Sequence, residues 1–308
     1  MANSKPFNPR LVRQRKRRAR VGFRDAAFLH RRAAADVVER LEAIPRRFER
    51  VLALGGEGLV SAEIAARPEL AARVGHVIEA SWTAGVPAGE DAGGPRWPQL
   101  ALDPEQLPFV SGAFDLIVAP LALHWINDLP GALVQLRLAL KPDGLLLASL
   151  FGGETLNELR LSLLEAESEL TGGAAMRVAP FADLADIAGL LQRAGFALPA
   201  ADRDVVTVRY GEPMRLLADL RAMGETAALA ERPPRTLSRR ILARAFEIYR
   251  DRFSDADNRV RATFEILTAT GWAPHESQQK PLKPGTAKTR LADALGTKER
   301  SVGDKALR

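Results

Sequence analysis

The sequence predicts an α/β fold: a mostly parallel sheet with helices on both faces and one helical insertion. Three observations carry this expectation. Short apolar runs alternate with helical stretches from residue 51 onward. The run Phe114–Ala119 has the character of a strand buried on both faces. The first apolar run ends in a glycine-rich turn, Gly55-Gly56-Glu57-Gly58. Strand–helix–strand alternation of this kind builds parallel sheets with helices on their faces.

The elements follow in order. Residues 25–43 read as an amphipathic helix, with Ala27, Phe28, Ala34, Val37, Val38 and Leu41 near a 3.6-residue period. Val51–Leu54 is the first strand, and residues 60–72 are helical. Val74–Ile78 is the second strand, closed by Glu79, and Leu100–Leu102 the third. Phe114–Ala119 is the fourth. Residues 128–140 are helical and stop at Lys141-Pro142-Asp143-Gly144, a turn signature. Leu145–Leu150 is the fifth strand, and 181–194 a helix ending at Gly195. Asp204–Tyr210 and 260–269 alternate as strands. Between them, 212–252 reads as helices broken by Pro233-Pro234. That stretch is too long for a simple connection, so it is an insertion. The organisation is a basic amino-terminal arm (1–24), a body (25–279) that includes the insertion, and a basic tail (280–308).

Composition sets bounds. The chain has 308 residues, 46% hydrophobic and 27% charged, enough apolar material for a sizeable core. It has no cysteine, which excludes disulfides, thiolate metal sites, iron–sulfur clusters and cysteine nucleophiles. The longest apolar run, Leu116 to Ile126, is far short of the about 20 residues a membrane helix needs. The four histidines, His30, His76, His124 and His275, lack metal-ligand spacing.

Charge is unevenly placed. Residues 1–50 hold 15 Lys/Arg against 5 Asp/Glu, and residues 280–308 hold 8 against 3. The rest is acidic, with 21 against 30. The run Arg13, Arg15, Lys16, Arg17, Arg18 and Arg20 suits an acidic partner, a loose solvated arm, or an arm that folds over the acidic body and closes the pocket. No nucleic-acid motif accompanies it. Its composition is compatible with a mitochondrial presequence only up to Asp25.

In open α/β sheets, ligands sit beyond the carboxyl ends of the strands at the topological switch point. Gly55, Gly56 and Gly58 therefore line the first candidate site, where glycines admit close backbone approach. A short glycine turn serves equally as a tight connection. Glu79, at the end of the second strand, suits a ribose diol; it reads also as a solvated strand-end acid. Asp103 suits an adenine amino group, or a turn before Pro104. His124 is a candidate base, or a packed strand-end histidine. Glu154 and Glu158, at i and i+4, would share a helix face and grip a cationic side chain, or form a capped helix start.

Together these residues resemble a family. The stretch from Leu107 to Arg160 is similar to class I S-adenosylmethionine-dependent methyltransferases. It contains Leu123-His124-Trp125, Asn127-Asp128-Leu129-Pro130, Phe151-Gly152-Gly153-Glu154-Thr155-Leu156 and Glu158-Leu159-Arg160. With Met223-Gly224-Glu225, Gly271-Trp272 and His275-Glu276-Ser277-Gln278, it resembles more closely the subgroup of mitochondrial complex I assembly factors that hydroxylate an arginine. The malonyl carrier-protein methyltransferases of biotin synthesis are a more distant resemblance. The likeness runs from about residue 7 to 287. It implies a seven-stranded sheet with the last strand antiparallel, and S-adenosylmethionine at the strand ends. Glu79 would hold the ribose, Asp103 the adenine, and Leu121 to Trp125 would line the methyl-donor pocket. It implies a protein substrate or client, among which a complex I subunit, and a place in the bacterial cytoplasm or the mitochondrial matrix. One position departs from the pattern: the acid of the first strand is Ala53, and the glycine loop is one residue short. This departure keeps a non-catalytic assembly role open.

Overall fold

The structure, a computed structural model, describes residues 5–83, 97–231, 236–279, 291–294 and 296–297. It divides into two compact units, Met1–Pro274 and His275–Arg308.

The first unit is built on a seven-stranded sheet. Its strands are β1 (Phe48–Leu54), β2 (Val74–Ser81), β3 (Gln99–Ala101), β4 (Phe114–Ala119), β5 (Leu140–Phe151), β6 (Ala197–Tyr210) and β7 (Val260–Trp272). Their order is β3-β2-β1-β4-β5-β7-β6. β7 runs antiparallel to β5 and β6, and the remaining pairs are parallel. The order reverses beside β1, so the switch point lies between the ends of β1 and β4.

The central strands read as apolar because both faces are covered. Leu52, Leu54, Ile117 and Leu146 face one side, and Val51, Ala53, Leu116, Val118 and Leu145 the other; all are essentially fully buried. The helix expected at 25–43 is α3 (Phe28–Glu42), preceded by a short α2 (Phe23–Ala26). Leu29, Ala33, Val37 and Leu41 point inward at helical spacing. α4 (Leu59–Ala65) and α5 (Pro68–Ala71) follow the glycine turn, and Pro68 opens the second. α6 (Leu129–Ala139) is capped by Asp128, whose Oδ1 accepts from Gly131 N–H at 2.9 Å. α7 (Asn157–Thr171), α8 (Leu184–Arg193), α9 (Pro213–Ala222) and α10 (Arg239–Phe253) complete the helical layers. α9 and α10 form the insertion. Leu159 and Leu163 of α7 join Ala245 and Ile248 of α10 in one buried cluster. The Pro233-Pro234 break lies outside the described residues.

Two expectations change. Lys141-Pro142-Asp143-Gly144 is not a turn that separates a helix from a strand. β5 already begins at Leu140, and the tetrapeptide is an irregularity inside it. Asp143 takes a left-handed φ of 60°, and its N–H donates to Ala273 O at 3.1 Å.

The second change concerns the amino-terminal segment, which over its described residues 5–24 is no loose arm. It belongs to the first unit, and Pro9–Ala19 is a helix, α1, capped by Asn8 and opened by Pro9. Phe7 pairs with Leu229, and its N–H donates to Asn127 Oδ1 at 2.8 Å. Asn8 N–H donates to Ala228 O, and Ala230 N–H to Pro6 O. Val12 and Ala19 are buried, while Arg10, Arg13, Arg17 and Arg18 stay exposed. The segment is amphipathic, with a sparse apolar face that the density of arginines hides.

In the second unit, His275 Nδ1 pairs with Ser277 Oγ at 2.7 Å, and Leu291–Ala294 forms a short helix, α11.

Candidate active site: two cavities joined at the glycine turn

The carboxyl ends of β1, β2 and β4 open onto two adjoining cavities. The larger, about 540 Å³ including its mouth, is lined by Gly55, Gly56 and Glu57, by Leu121 and Ala122 after β4, and by α1. The smaller, about 250 Å³, lies over Gly58, Glu79, Gln99 and Leu100. Gly55, Glu57 and Ser81 border both, so the two spaces meet at the glycine turn.

The turn has the backbone its glycines permit. Gly55, Gly56 and Gly58 have φ of 74°, 75° and 87°. A side chain at Gly55 would collide with Ala122 Cβ at 2.7 Å, so that glycine lets the turn approach the segment after β4. Glu57 and Leu121, φ 49° and 46°, share this left-handed region without being glycine. Such residues store about 1–2 kcal/mol each and cluster at functional sites.

The sequence-predicted residues separate into two groups. Gly55, Gly56, Gly58, Glu79 and Leu121 come together around the cavities. Glu79 lies within β2 rather than after it; it accepts from Ser61 Oγ, and from Gln99 Nε2 at 3.4 Å. Asp103 stands apart from both linings: its Oδ1 accepts from Glu105 N–H at 3.0 Å, and its Oδ2 is 3.7 Å from Arg13. Pro104, next to it, does line the larger cavity.

The expected pairing of Glu154 and Glu158 is not met. α7 begins at Asn157, so Glu154 lies outside the helix and is exposed. Glu158 is buried, and its carboxylate accepts from Thr263 N–H at 3.1 Å and Thr263 Oγ1 at 2.5 Å. It ties α7 to β7. Neither glutamate lines a cavity.

His124 is buried and does not line the cavities either. Its Nε2–H donates to Glu225 Oε2 at 2.8 Å, among the rings of Trp125, Phe151 and Phe181.

Glu225 is the centre that residue patterns do not announce. It is 5% exposed, just beyond α9, and four donors converge on it. They are Lys16 Nζ, His30 Nε2 at 3.0 Å, His124 Nε2 at 2.8 Å and Trp125 Nε1 at 2.7 Å. Burial alone would raise its pKa, but Lys16 and the two histidines hold it well below the usual carboxylate range. Burial depresses both histidines below their ordinary 6.5 despite Glu225, so both rings stay neutral. Gly224, φ 73°, makes the approach of α1 feasible: a Cβ there would stand 3.1 Å from Ala19 Cβ and 3.3 Å from Lys16 Cα. The sequence signals for this centre are Leu123-His124-Trp125 and Met223-Gly224-Glu225 within the resemblance.

Position 53 confirms the departure in structural terms. Ala53 is buried among Val60, Val77 and Val118, so β1 brings no carboxylate to the turn. A carboxylate is present four residues on: Glu57 borders both cavities, and burial raises its pKa although Lys16, Ser81 and Arg20 oppose this.

Comparison with known proteins agrees with this geometry. A methyltransferase domain model matches residues 26–200. Arginine-hydroxylase NDUFAF5, mitochondrial, of Danio rerio is 44% identical over 191 residues, 62% of this chain and 59% of that protein, less than two thirds of its length. The Homo sapiens protein of the same name is 36% identical over 263 residues, 84% of this chain and 74% of its own. A malonyl-[acyl-carrier protein] O-methyltransferase of Halorhodospira halophila is 32% identical over 260 residues, covering 84% and 85%. With a matched domain spanning more than half its length, the chain belongs to the methyltransferase-domain family.

Proposed function

We propose that the two cavities together hold S-adenosylmethionine, and that the chain methylates a carboxylate- or nitrogen-bearing group on a protein acceptor, in a role related to respiratory complex I assembly. One observation carries the reading. A small cleft with a carboxylate at a strand end, Glu79, opens through a glycine turn into a larger, mainly apolar cavity. That is the shape of a nucleoside joined to an amino-acid tail. The lining fits such a group: three left-handed glycines keep Cβ atoms out of the space, and a Cβ on Gly58 would stand 3.7 Å from Glu79 Oε2.

In this reading the cofactor supplies an electrophilic methyl group. Glu79 accepts from the ribose hydroxyls, and the backbone of the glycine turn orients the tail. Asp103 is the partner proposed for the adenine. Phe23, Trp82 and Met223 keep water out of the larger cavity. Alignment of donor and acceptor supplies the greater part of the catalysis, about 7–11 kcal/mol, so no general base is obligatory. His124 acts through Glu225 as a positioning residue, and Glu158 ties α7 to β7 beneath the site.

A second reading rests on Ala53. With a methyl group where the pattern has an acid, the fold would serve to hold a client, or to support arginine hydroxylation. The same experiment separates the readings. Calorimetric titration of the full chain with S-adenosylmethionine is expected to give saturable heat, weakened in Glu79→Ala. Absence of heat in the wild-type chain, with a client still retained, would favour the holding role. Among the described residues no helix is long and apolar enough to cross a membrane.

A further inference from the structure

The larger cavity has four ionisable side chains in its wall: Lys16, Arg20, His30 and Glu57. Lys16 and His30 are both committed to Glu225. Glu57 is the buried acid whose carboxyl is shifted toward the protonated form. Arg20 differs from the other three. It follows the last residue of α1, its Nε is buried without a hydrogen-bond partner, and no ion pair forms to it among the described residues.

A guanidinium donor shut away from water without an acceptor is unfavourable, and native interiors rarely keep one. In the remaining wall the one acid that feels the Arg20 charge is Glu57, which forms no ion pair with it, and Ala19, Phe23, Leu54, Leu121, Ala122 and Met223 turn apolar surface to the space. A ligand in the cavity would bring the acceptor that Arg20 Nε lacks among the described residues. We propose that Arg20 is a carboxylate-binding group, and that the larger cavity takes a ligand carrying a carboxylate at its α1 end. The planar fork of arginine matches two coplanar oxygens. A phosphate would leave its third oxygen unpaired against the apolar wall. A guanidinium-bearing side chain would meet Lys16 and Arg20 as like charges.

Two sources share this chemistry: the α-carboxylate of the methyl donor, or a carboxylate on the acceptor. Only the first rests on the reading of the cleft given above. The inference also explains why the basic amino-terminal segment is folded against the body: it contributes the cation that the strands do not.

The test uses the full chain, the wild type beside Arg20→Gln, with Arg18→Gln on the exposed face of α1 as control. Binding of S-adenosylmethionine and its decarboxylated analogue is measured by calorimetry. Stabilisation by malonate and by neutral malonamide is measured as a thermal shift. If the donor's carboxylate is the partner, Arg20→Gln weakens S-adenosylmethionine by at least about tenfold, the loss of one charge-assisted pair, and leaves the decarboxylated analogue within about twofold. If the acceptor's carboxylate is the partner, both cofactors bind as before. Malonate then stabilises the wild type but not Arg20→Gln, and malonamide stabilises neither. Unchanged S-adenosylmethionine binding in Arg20→Gln together with no Arg20-dependent malonate shift overturns the proposal. Should the wild type bind no S-adenosylmethionine, the donor reading fails on its own, and the malonate arm still decides on Arg20. Arg18→Gln is expected to match wild type throughout, and matching losses in Arg18→Gln would reduce the effect to net charge and also overturn it.

Discussion

The two cavities are built in opposite ways. The smaller one is local: Gly58, Glu79, Gln99 and Leu100 sit at the ends of three neighbouring strands, and the sheet alone places them. The larger one is a long-range assembly. Lys16 reaches Glu225 across 209 positions, His30 across 195 and His124 across 101. A site read at strand ends needs only the fold. A site closed by a terminal helix needs a buried charge network to hold that helix, and its energetics then differ. The strand-end cleft should tolerate change with local effects on binding, while the network side should couple binding, stability and pH.

The largest effect expected is at Glu225. Glu225→Ala leaves Lys16 without its carboxylate and three buried N–H groups without an acceptor, and should destabilise the chain by about 3–5 kcal/mol. Chemical denaturation at neutral pH measures it. A loss below about 1 kcal/mol would remove the network from its central place.

The pH dependence comes next. Folded His30 and His124 refuse protons that the unfolded chain accepts near 6.5. Their contribution is therefore complete above about that value and is lost as pH falls below it. Glu225, depressed below 4.5, adds a further loss at lower pH. Thermal stability should decline steadily from pH 7 to pH 4, and His124→Asn should flatten the upper part of the decline. A melting temperature that rises on acidification contradicts the assignment.

On the local side the effects are smaller. Glu79→Ala should weaken S-adenosylmethionine by about 1–3 kcal/mol, with little change in stability. Asp103→Ala should cost less than Glu79→Ala in affinity. Its carboxylate already serves the turn to Glu105 and stands outside both linings, and the exposed pair with Arg13 contributes about 0–1 kcal/mol. Calorimetry on the two variants side by side gives the ranking, and the reverse order would make Asp103 the stronger of the two contacts.

The same contrast decides what the sequence makes legible. Apolar runs identified the central strands, because strands buried on both faces have little freedom in composition, and the half-buried β6 was found by its alternation. The glycine turn and Glu79 were readable since function there follows sequence neighbours. α1 as a helix was not readable: eleven residues dense in arginine look like a solvated arm as readily as one laid on the acidic body, and only Val12 and Ala19 are buried in it. Glu225 had no signal outside the resemblance, for a related reason. A lone glutamate after a helix has no local pattern that predicts burial, and its four partners come from three distant segments. Glu154 and Glu158 illustrate the converse. Their i, i+4 spacing suggested a shared face, but helix α7 starts after Glu154, so spacing alone misplaced one of them.

Hydrogen exchange on the full chain, with and without saturating S-adenosylmethionine, tests the central claim most directly, because it follows both cavities in one measurement. Amides near residues 54–58 and 79–81 report the strand-end cleft, and amides of α1 report the larger cavity. A ligand that spans both spaces slows exchange in the glycine turn, in β2 and in α1 together. Protection confined to the glycine turn and β2, with α1 unchanged, would contradict the account by showing that the amino-terminal helix is no wall of the cofactor site.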